Sequence, residues 1–206
     1  MMRRYQKSLI VIEDFYSDPI AVRELGLNCT YSEPNADQAF AGVESKAAYF
    51  TQTLISTLEQ IVGNTIVVDP AKNAFGRFRK RMSASLGRTS VHFDDTDWTG
   101  IVYLFDDPGA GGTTLYKHLG TGLFGPPDET TVERLGYTSL AEFDQSVVMR
   151  DTLDLSKWSA SITVAARFNR LVLVRGGENF HGASEFQAAS HREVRLTQVF
   201  FFDDSA

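Results

Sequence analysis

From Phe75 onward the chain breaks into short apolar and aromatic runs: Phe75 to Arg81, Arg88 to Asp94, Gly100 to Phe105, Thr113 to His118, Arg170 to Val174 and Val194 to Phe201. Gly, Pro, Asp and Asn stand between them, and Pro108-Gly109-Ala110-Gly111-Gly112 forms a turn cluster. Runs this short, separated by turn formers, pair as an antiparallel sandwich or barrel. Fifteen Phe and seven Tyr in 206 residues supply the side chains that such an interior needs.

The N-terminal third supports that barrel. Ser8 to Ile12 reads as a strand, and Asp18-Pro19 opens a helix with its proline in the first turn. Ala48, Phe50, Leu54, Ile55, Leu58 and Ile61 recur at helical spacing, which predicts an amphipathic helix over Ser45 to Val62 backing the sheet. Ile66 to Val68 begins a further strand. Gly120 to Ser161 breaks the strand rhythm: Gly125-Pro126-Pro127-Asp128 leads into helices around Thr131 to Leu135 and Leu140 to Met149, an insertion at the barrel mouth suited to covering a substrate. The expected organisation is one domain over 1–206. It has a strand and supporting helices in 1–74, and a barrel in 75–203 with a lid-like insertion at about 120–161.

A formal charge of -6 argues against electrostatically driven binding to nucleic acid or an anionic membrane and favours a small-molecule partner. The apolar run Leu9 to Ile12 is too short for a signal sequence, and no stretch reaches transmembrane length. With a single cysteine, Cys29, no intrachain disulfide forms, so a cytoplasmic location is expected. Cys29 itself reads as a packed apolar side chain.

Chemistry enters with two histidines in hydrophobic strand-like settings, His92 in Ser-Val-His-Phe-Asp and His181 in Glu-Asn-Phe-His-Gly. Alternate residues of a strand share a face, so His92 and Asp94 can chelate one metal together. A histidine from a distant strand completes a 2-His-1-carboxylate triad, the set that holds non-haem Fe(II) and leaves coordination positions open. The same two-residue period selects Asp94 over Asp95 and Asp97, which read as solvated loop residues. His118 is expected in a surface or hydrogen-bonded role, and His191, beside Arg192 in a polar turn, in a solvent-exposed one. The basic run Arg77-Phe78-Arg79-Lys80-Arg81 reads as a solvated strand face; the alternative, with Arg77 and Arg79 pointing inward together, would suit an anionic substrate group.

The order of His92-Phe93-Asp94, Ile101-Val102-Tyr103-Leu104, Gly111-Gly112-Thr113-Thr114-Leu115-Tyr116, Asn169 to Val174, Phe180-His181-Gly182 and Arg195-Leu196-Thr197-Gln198 resembles the Fe(II)/2-oxoglutarate-dependent dioxygenases of the prolyl-hydroxylase-like small bacterial branch. The resemblance covers about residues 75 to 203 and is extended by Ile12-Glu13-Asp14-Phe15-Tyr16. It implies a double-stranded β-helix, also called a jelly roll or cupin barrel, mainly β with flanking helices. It further implies His92, Asp94 and His181 as iron ligands, with 2-oxoglutarate and dioxygen as cosubstrates and ascorbate as a helper. The far carboxylate of 2-oxoglutarate would be bound by Arg195, with Arg192 in reserve, since the two differ by an odd number and cannot share a strand face. Tyr103 matches a family tyrosine whose hydroxyl bonds the same carboxylate; a core tyrosine is the other reading. An intact Asp94 favours hydroxylation over halogenation.

The implied activity is oxidative decarboxylation of 2-oxoglutarate coupled to hydroxylation of a small metabolite, such as an amino acid or a natural-product intermediate, with a peptide or protein as the alternative substrate. A cupin-type metalloenzyme without an oxo acid is the alternative enzyme; it gives Arg195 and Tyr103 no joint task. A non-catalytic ligand-binding barrel is the alternative outside catalysis. It leaves the converging imidazoles and carboxylate without compensation for their burial.

Overall fold

The computed structural model describes residues 8–33, 40, 42–69, 72–81, 90–106, 111–184 and 194–205. Arg192, His191, residues Pro108 to Ala110 of the turn cluster and the Arg88-Thr89 start of the second expected strand lie outside them.

Among the described residues, β1 (Leu9–Ile12), β2 (Val43–Glu44), β3 (Ile66–Val67), β4 (Phe75–Arg81), β5 (Trp98–Tyr103), β8 (Leu171–Val174) and β10 (Arg195–Asp204) form one antiparallel sheet in the order β1-β8-β5-β10-β4-β2, with β3 on the far end of β10. A smaller sheet holds β7 (Trp158–Ala165), β6 (Gly112–His118) and β9 (His181–Ala183), and an antiparallel bridge from His92 to His181 adds the His92 segment beside β9.

Register assigns the two faces of the large sheet. Thr197 lies opposite both Arg79 and Tyr103, Val199 opposite Arg77 and Ile101, and Phe201 opposite Thr99, so these residues share one face. That face looks toward the small sheet: Tyr103, Phe105, Val172 and Val174 pack with Leu115, Val164 and Ala166 between the two layers. The reverse face carries Phe78, Val102, Leu171, Leu173, Leu196, Phe200 and Phe202. Two helices cover it. In α1 (Pro19–Asn28) the Asp18 carboxylate accepts the Ala21 N–H, and in α2 (Gln52–Val62) the Thr51 hydroxyl accepts the Leu54 N–H. Leu58 is fully buried there, and each Phe or Leu so buried contributes about 1.5–3 kcal/mol. Gly26 lets α1 approach closely, since a Cβ at that position would stand 2.8 Å from the Phe78 ring and 2.9 Å from a Leu196 methyl.

The helix expected over Ser45 to Val62 begins only at Gln52. Residues before it run extended along β4, where Ser45 N–H donates to Phe78 O at 2.8 Å and Tyr49 N–H to Gly76 O at 2.8 Å. Those strand-type bonds override the helical spacing of Ala48 and Phe50. The expected strand ending at Asp94 is reduced to the single bridge at His92 within the described residues. The stretch 120–157 holds α3 (Glu129–Arg134), α4 (Leu140–Phe143), a π-helical turn (Asp144–Val148) and α5 (Met149–Asp151). Trp158 to Ser161, expected to close the insertion, instead open β7. Most of that edge strand is exposed, so it lacks the apolar run that would mark it.

Candidate metal centre

His92 and His181 meet across two backbone hydrogen bonds. The His92 N–H donates to His181 O at 3.0 Å, and the His181 N–H donates to His92 O at 2.8 Å. This reciprocal pair brings the rings to a centroid distance of 4.7 Å. Each ring is oriented by its own backbone: Nδ1 of His92 lies 3.2 Å from Ser90 O, and Nδ1 of His181 lies 2.9 Å from Asn179 O. A proton on Nδ1 donates to the carbonyl and leaves Nε2 as the donor atom for a metal.

Asp94 faces both Nε2 atoms. Its Oδ1 is 3.5 Å from His92 and its Oδ2 is 3.1 Å from His181. One ligand atom from each of the three residues lies within 4.8 Å of the others, so the group is able to hold a metal ion. The Asp94 N–H donates to Gly176 O at 3.0 Å, and the Thr99 hydroxyl donates to Oδ2 of the carboxylate. Burial alone would raise the Asp94 pKa. The hydrogen bond from His181, the charges of both histidines and the Thr99 hydroxyl outweigh it and hold Asp94 well below the usual carboxylate range. Burial, then the His181 charge, push His92 down. For His181, burial is overcome by the hydrogen bond and charge of Asp94, and its pKa is raised.

The cluster opens on one side. The His181 side chain is 4 % exposed and Asp94 14 %, whereas His92 is 40 % exposed. Two imidazole nitrogens and one carboxylate that leave a side open suit a divalent iron-type ion with room for further ligands. Asp95 points to solvent, and Asp97 is taken up by the end of β10: its N–H donates to Asp203 Oδ1 and its Oδ2 accepts the Asp204 N–H. Neither belongs to the cluster.

Arg195 and Tyr103 also come together. The Arg195 Cζ lies 6.0 Å from the Tyr103 ring centroid and 5.3 Å from that of Phe105, on the face that looks into the barrel. The Tyr103 hydroxyl is bonded to Thr113 Oγ1 at 2.6 Å. His118 is buried, with Nε2 3.0 Å from Asp151 Oδ2 and Nδ1 3.0 Å from Thr121 Oγ1, which is the hydrogen-bonded role expected of it. Cys29 is half-buried, and its Sγ donates to Gly26 O. Sequence reasoning missed Thr99 and Gly176, which support Asp94, and Thr152, which braces the segment before His92.

Comparison with known proteins agrees with this architecture. No curated protein matches the chain. Among solved structures, HygX from Streptomyces hygroscopicus with nickel and 2-oxoglutarate bound has a TM-score of 0.51 at 12% identity, covering 97% of this chain and 84% of that one. A Pseudomonas putida prolyl-4-hydroxylase has a TM-score of 0.48 at 13% identity, covering 97% and 94%. The dioxygenase TqaL has 0.47 at 12%, covering 96% and 83%. The HygX match establishes the double-stranded β-helix fold expected from the sequence. The family model of DUF6445, described as a family of unknown function, matches residues 1–202, and the chain belongs to that family.

Proposed function

We propose that the chain is a non-haem Fe(II) oxygenase of the 2-oxoglutarate-dependent superfamily, hydroxylating a small metabolite. The observation that carries this reading is the convergence of His92, Asp94 and His181, with both Nδ1 atoms tied to backbone oxygens and one side left open. Those three residues hold the metal, which when bound supplies activation of dioxygen coupled to decarboxylation of 2-oxoglutarate. Arg195 binds the far carboxylate of 2-oxoglutarate through its paired N–H groups, close to the ring of Tyr103. The aromatic and aliphatic lining around Tyr103, Phe105 and Val172 keeps water from that carboxylate and strengthens the pairing. A fold shared with a protein crystallised with nickel and 2-oxoglutarate is consistent with this assignment.

The test is succinate formation from 2-oxoglutarate under air with Fe(II) and ascorbate, across a panel of amino acids and metabolites. Turnover that is stimulated by a panel member and lost in His92→Ala and Arg195→Ala is the expected result. A wild-type protein that binds Fe(II) yet neither binds nor turns over 2-oxoglutarate would overturn the reading in favour of a metalloenzyme without an oxo acid.

A further inference from the structure

Three arginines alternate along β4 on the face that looks into the barrel, and their surroundings differ. Arg77 donates from Nη1 to the carbonyls of Ser45 at 2.7 Å and Lys46 at 2.9 Å, so its guanidinium is engaged by backbone at the sheet edge. Arg81 lies opposite Arg195 in the register of β10. Arg79 stands between them and is held in a different way. Its Nε donates to Glu44 Oε2 at 2.9 Å, and its Cζ lies 3.9 Å from the Phe40 ring centroid and 5.1 Å from that of Phe201.

Those contacts immobilise the guanidinium without using all of it. Two aromatic rings fix its plane, and Glu44 fixes its rotation through Nε. Among the described residues, no hydrogen bond is made by Nη1 or Nη2 of Arg79. The side chain is 24 % exposed, and the Phe201 ring it packs against belongs to the residue opposite Thr99, whose hydroxyl bonds the Asp94 carboxylate. A pre-oriented pair of N–H donors therefore lies beside the metal cluster, in a side chain whose stem is already ordered.

We infer that Arg79 anchors the carboxylate of the substrate, so that the compound oxidised in this barrel is an organic acid bound end-on through Nη1 and Nη2. The inference rests on the oxygenase reading. With Nε occupied by Glu44, the remaining edge offers two roughly parallel donors, which match the two oxygens of a planar carboxylate. A phosphate dianion would bring a further charge next to the Glu44 carboxylate, with Arg77 already engaged by Ser45 and Lys46. Glu44 has a positive role here, since it also lies 3.7 Å from Arg77 Nε and holds neighbouring arginines of one strand in register.

The test uses Co(II)-loaded protein with 2-oxoglutarate, read by the visible absorption of the metal. It is titrated with the L-amino acids and their N-acetyl derivatives, each beside its methyl ester. At least one acid is expected to bind ten-fold or more tightly than its ester. Arg79→Gln equalises that pair and Arg79→Lys retains part of the preference, while both variants keep the wild-type affinity for 2-oxoglutarate. The inference is overturned if no acid outbinds its ester, if the preference survives Arg79→Gln, or if Arg79→Gln weakens 2-oxoglutarate instead. A wild-type spectrum that 2-oxoglutarate does not change shows a separate failure, that of the oxygenase reading itself, and the inference falls with it.

Discussion

Val91 and Thr152 hold each other by two hydrogen bonds, the Val91 N–H donating to Thr152 O at 2.9 Å and the Thr152 hydroxyl donating to Val91 O at 2.9 Å. The next residue, His92, sends its own N–H and C=O to His181. Successive backbone groups of an extended segment point to opposite sides, so this segment is gripped by the helical insertion on one side and by β9 on the other. Thr152→Val removes the hydroxyl bond and leaves a buried carbonyl short of a partner, a loss of about 1–3 kcal/mol. Because the loss falls one residue from His92, metal affinity is expected to drop about ten-fold as well, the scale on which groups behind a metal ligand act. Metal titration beside a thermal melt checks both. A lowered melting temperature with unchanged affinity would mean that the clamp has no hold on the ligand.

Asp151 fastens the same insertion to β6. Arg150 bonds it through two nitrogens at 2.8 and 2.9 Å, and His118 bonds it from the strand. The Arg150 hydrogen bond, resisted by burial and assisted by His118, lowers the Asp151 pKa from 3.8 to about 2. A carboxylate depressed in the folded state stabilises it above the unfolded value, and that stability is lost as pH falls from about 4 through about 2. Arg150 is 63 % exposed, so solvent screening reduces the contribution to about 1–2 kcal/mol. Asp151→Asn should therefore cost that much at pH 7, and the gap from wild type should narrow below pH 4. Denaturant titrations at several pH values measure it; a gap independent of pH would show that charge is not what holds the insertion.

Much of this architecture is legible along the chain because it follows a two-residue period. That period puts His92 and Asp94 on one side and Arg195, Thr197, Val199 and Phe201 on one face, and the register agrees. The same reasoning fails where partners are remote. Ala48 and Phe50 have helical spacing, yet Ser45 and Tyr49 are captured by β4, some thirty residues away. Trp158 to Ala165 forms an edge strand too exposed to show an apolar pattern. Thr99, Gly176 and Thr152 reach the cluster only through contacts made after folding, and none carries a residue type that singles it out.

Arg195 and Tyr103 are expected to contribute unequally to 2-oxoglutarate binding. With 2-oxoglutarate held as proposed, Arg195→Met would remove a charge-assisted pair of hydrogen bonds, so the Kd should rise about thirty- to hundred-fold, or about 2–3 kcal/mol. Tyr103→Phe should change it by less than about ten-fold, because the hydroxyl already bonds Thr113 Oγ1. Titration of the Fe(II) protein with 2-oxoglutarate under argon gives both constants. Equal effects of the two variants would mean that the hydroxyl leaves Thr113 for the cosubstrate.

Gly176 offers a way to disturb the cluster without touching a ligand. A Cβ there would lie 2.5 Å from Asp94 Oδ2, 2.5 Å from Thr99 Oγ1 and 3.2 Å from Asp94 Cβ. The two nearest atoms are the ends of side chains, which can swing away, and the Gly176 backbone lies outside the left-handed region. Alanine therefore fits the chain path but displaces the carboxylate from the position that faces His92 and His181. Gly176→Ala is expected to keep the fold, with a melting temperature within a few degrees of wild type, roughly the shift that 1 kcal/mol produces in a chain of this size. Its metal affinity should fall at least ten-fold, as happens when a group orienting a metal ligand is disturbed. Metal titration of the folded variant decides the matter. Wild-type affinity would show that the carboxylate can shift aside and still serve as a ligand, so that its fit against Gly176 and Thr99 does not set the geometry of the site.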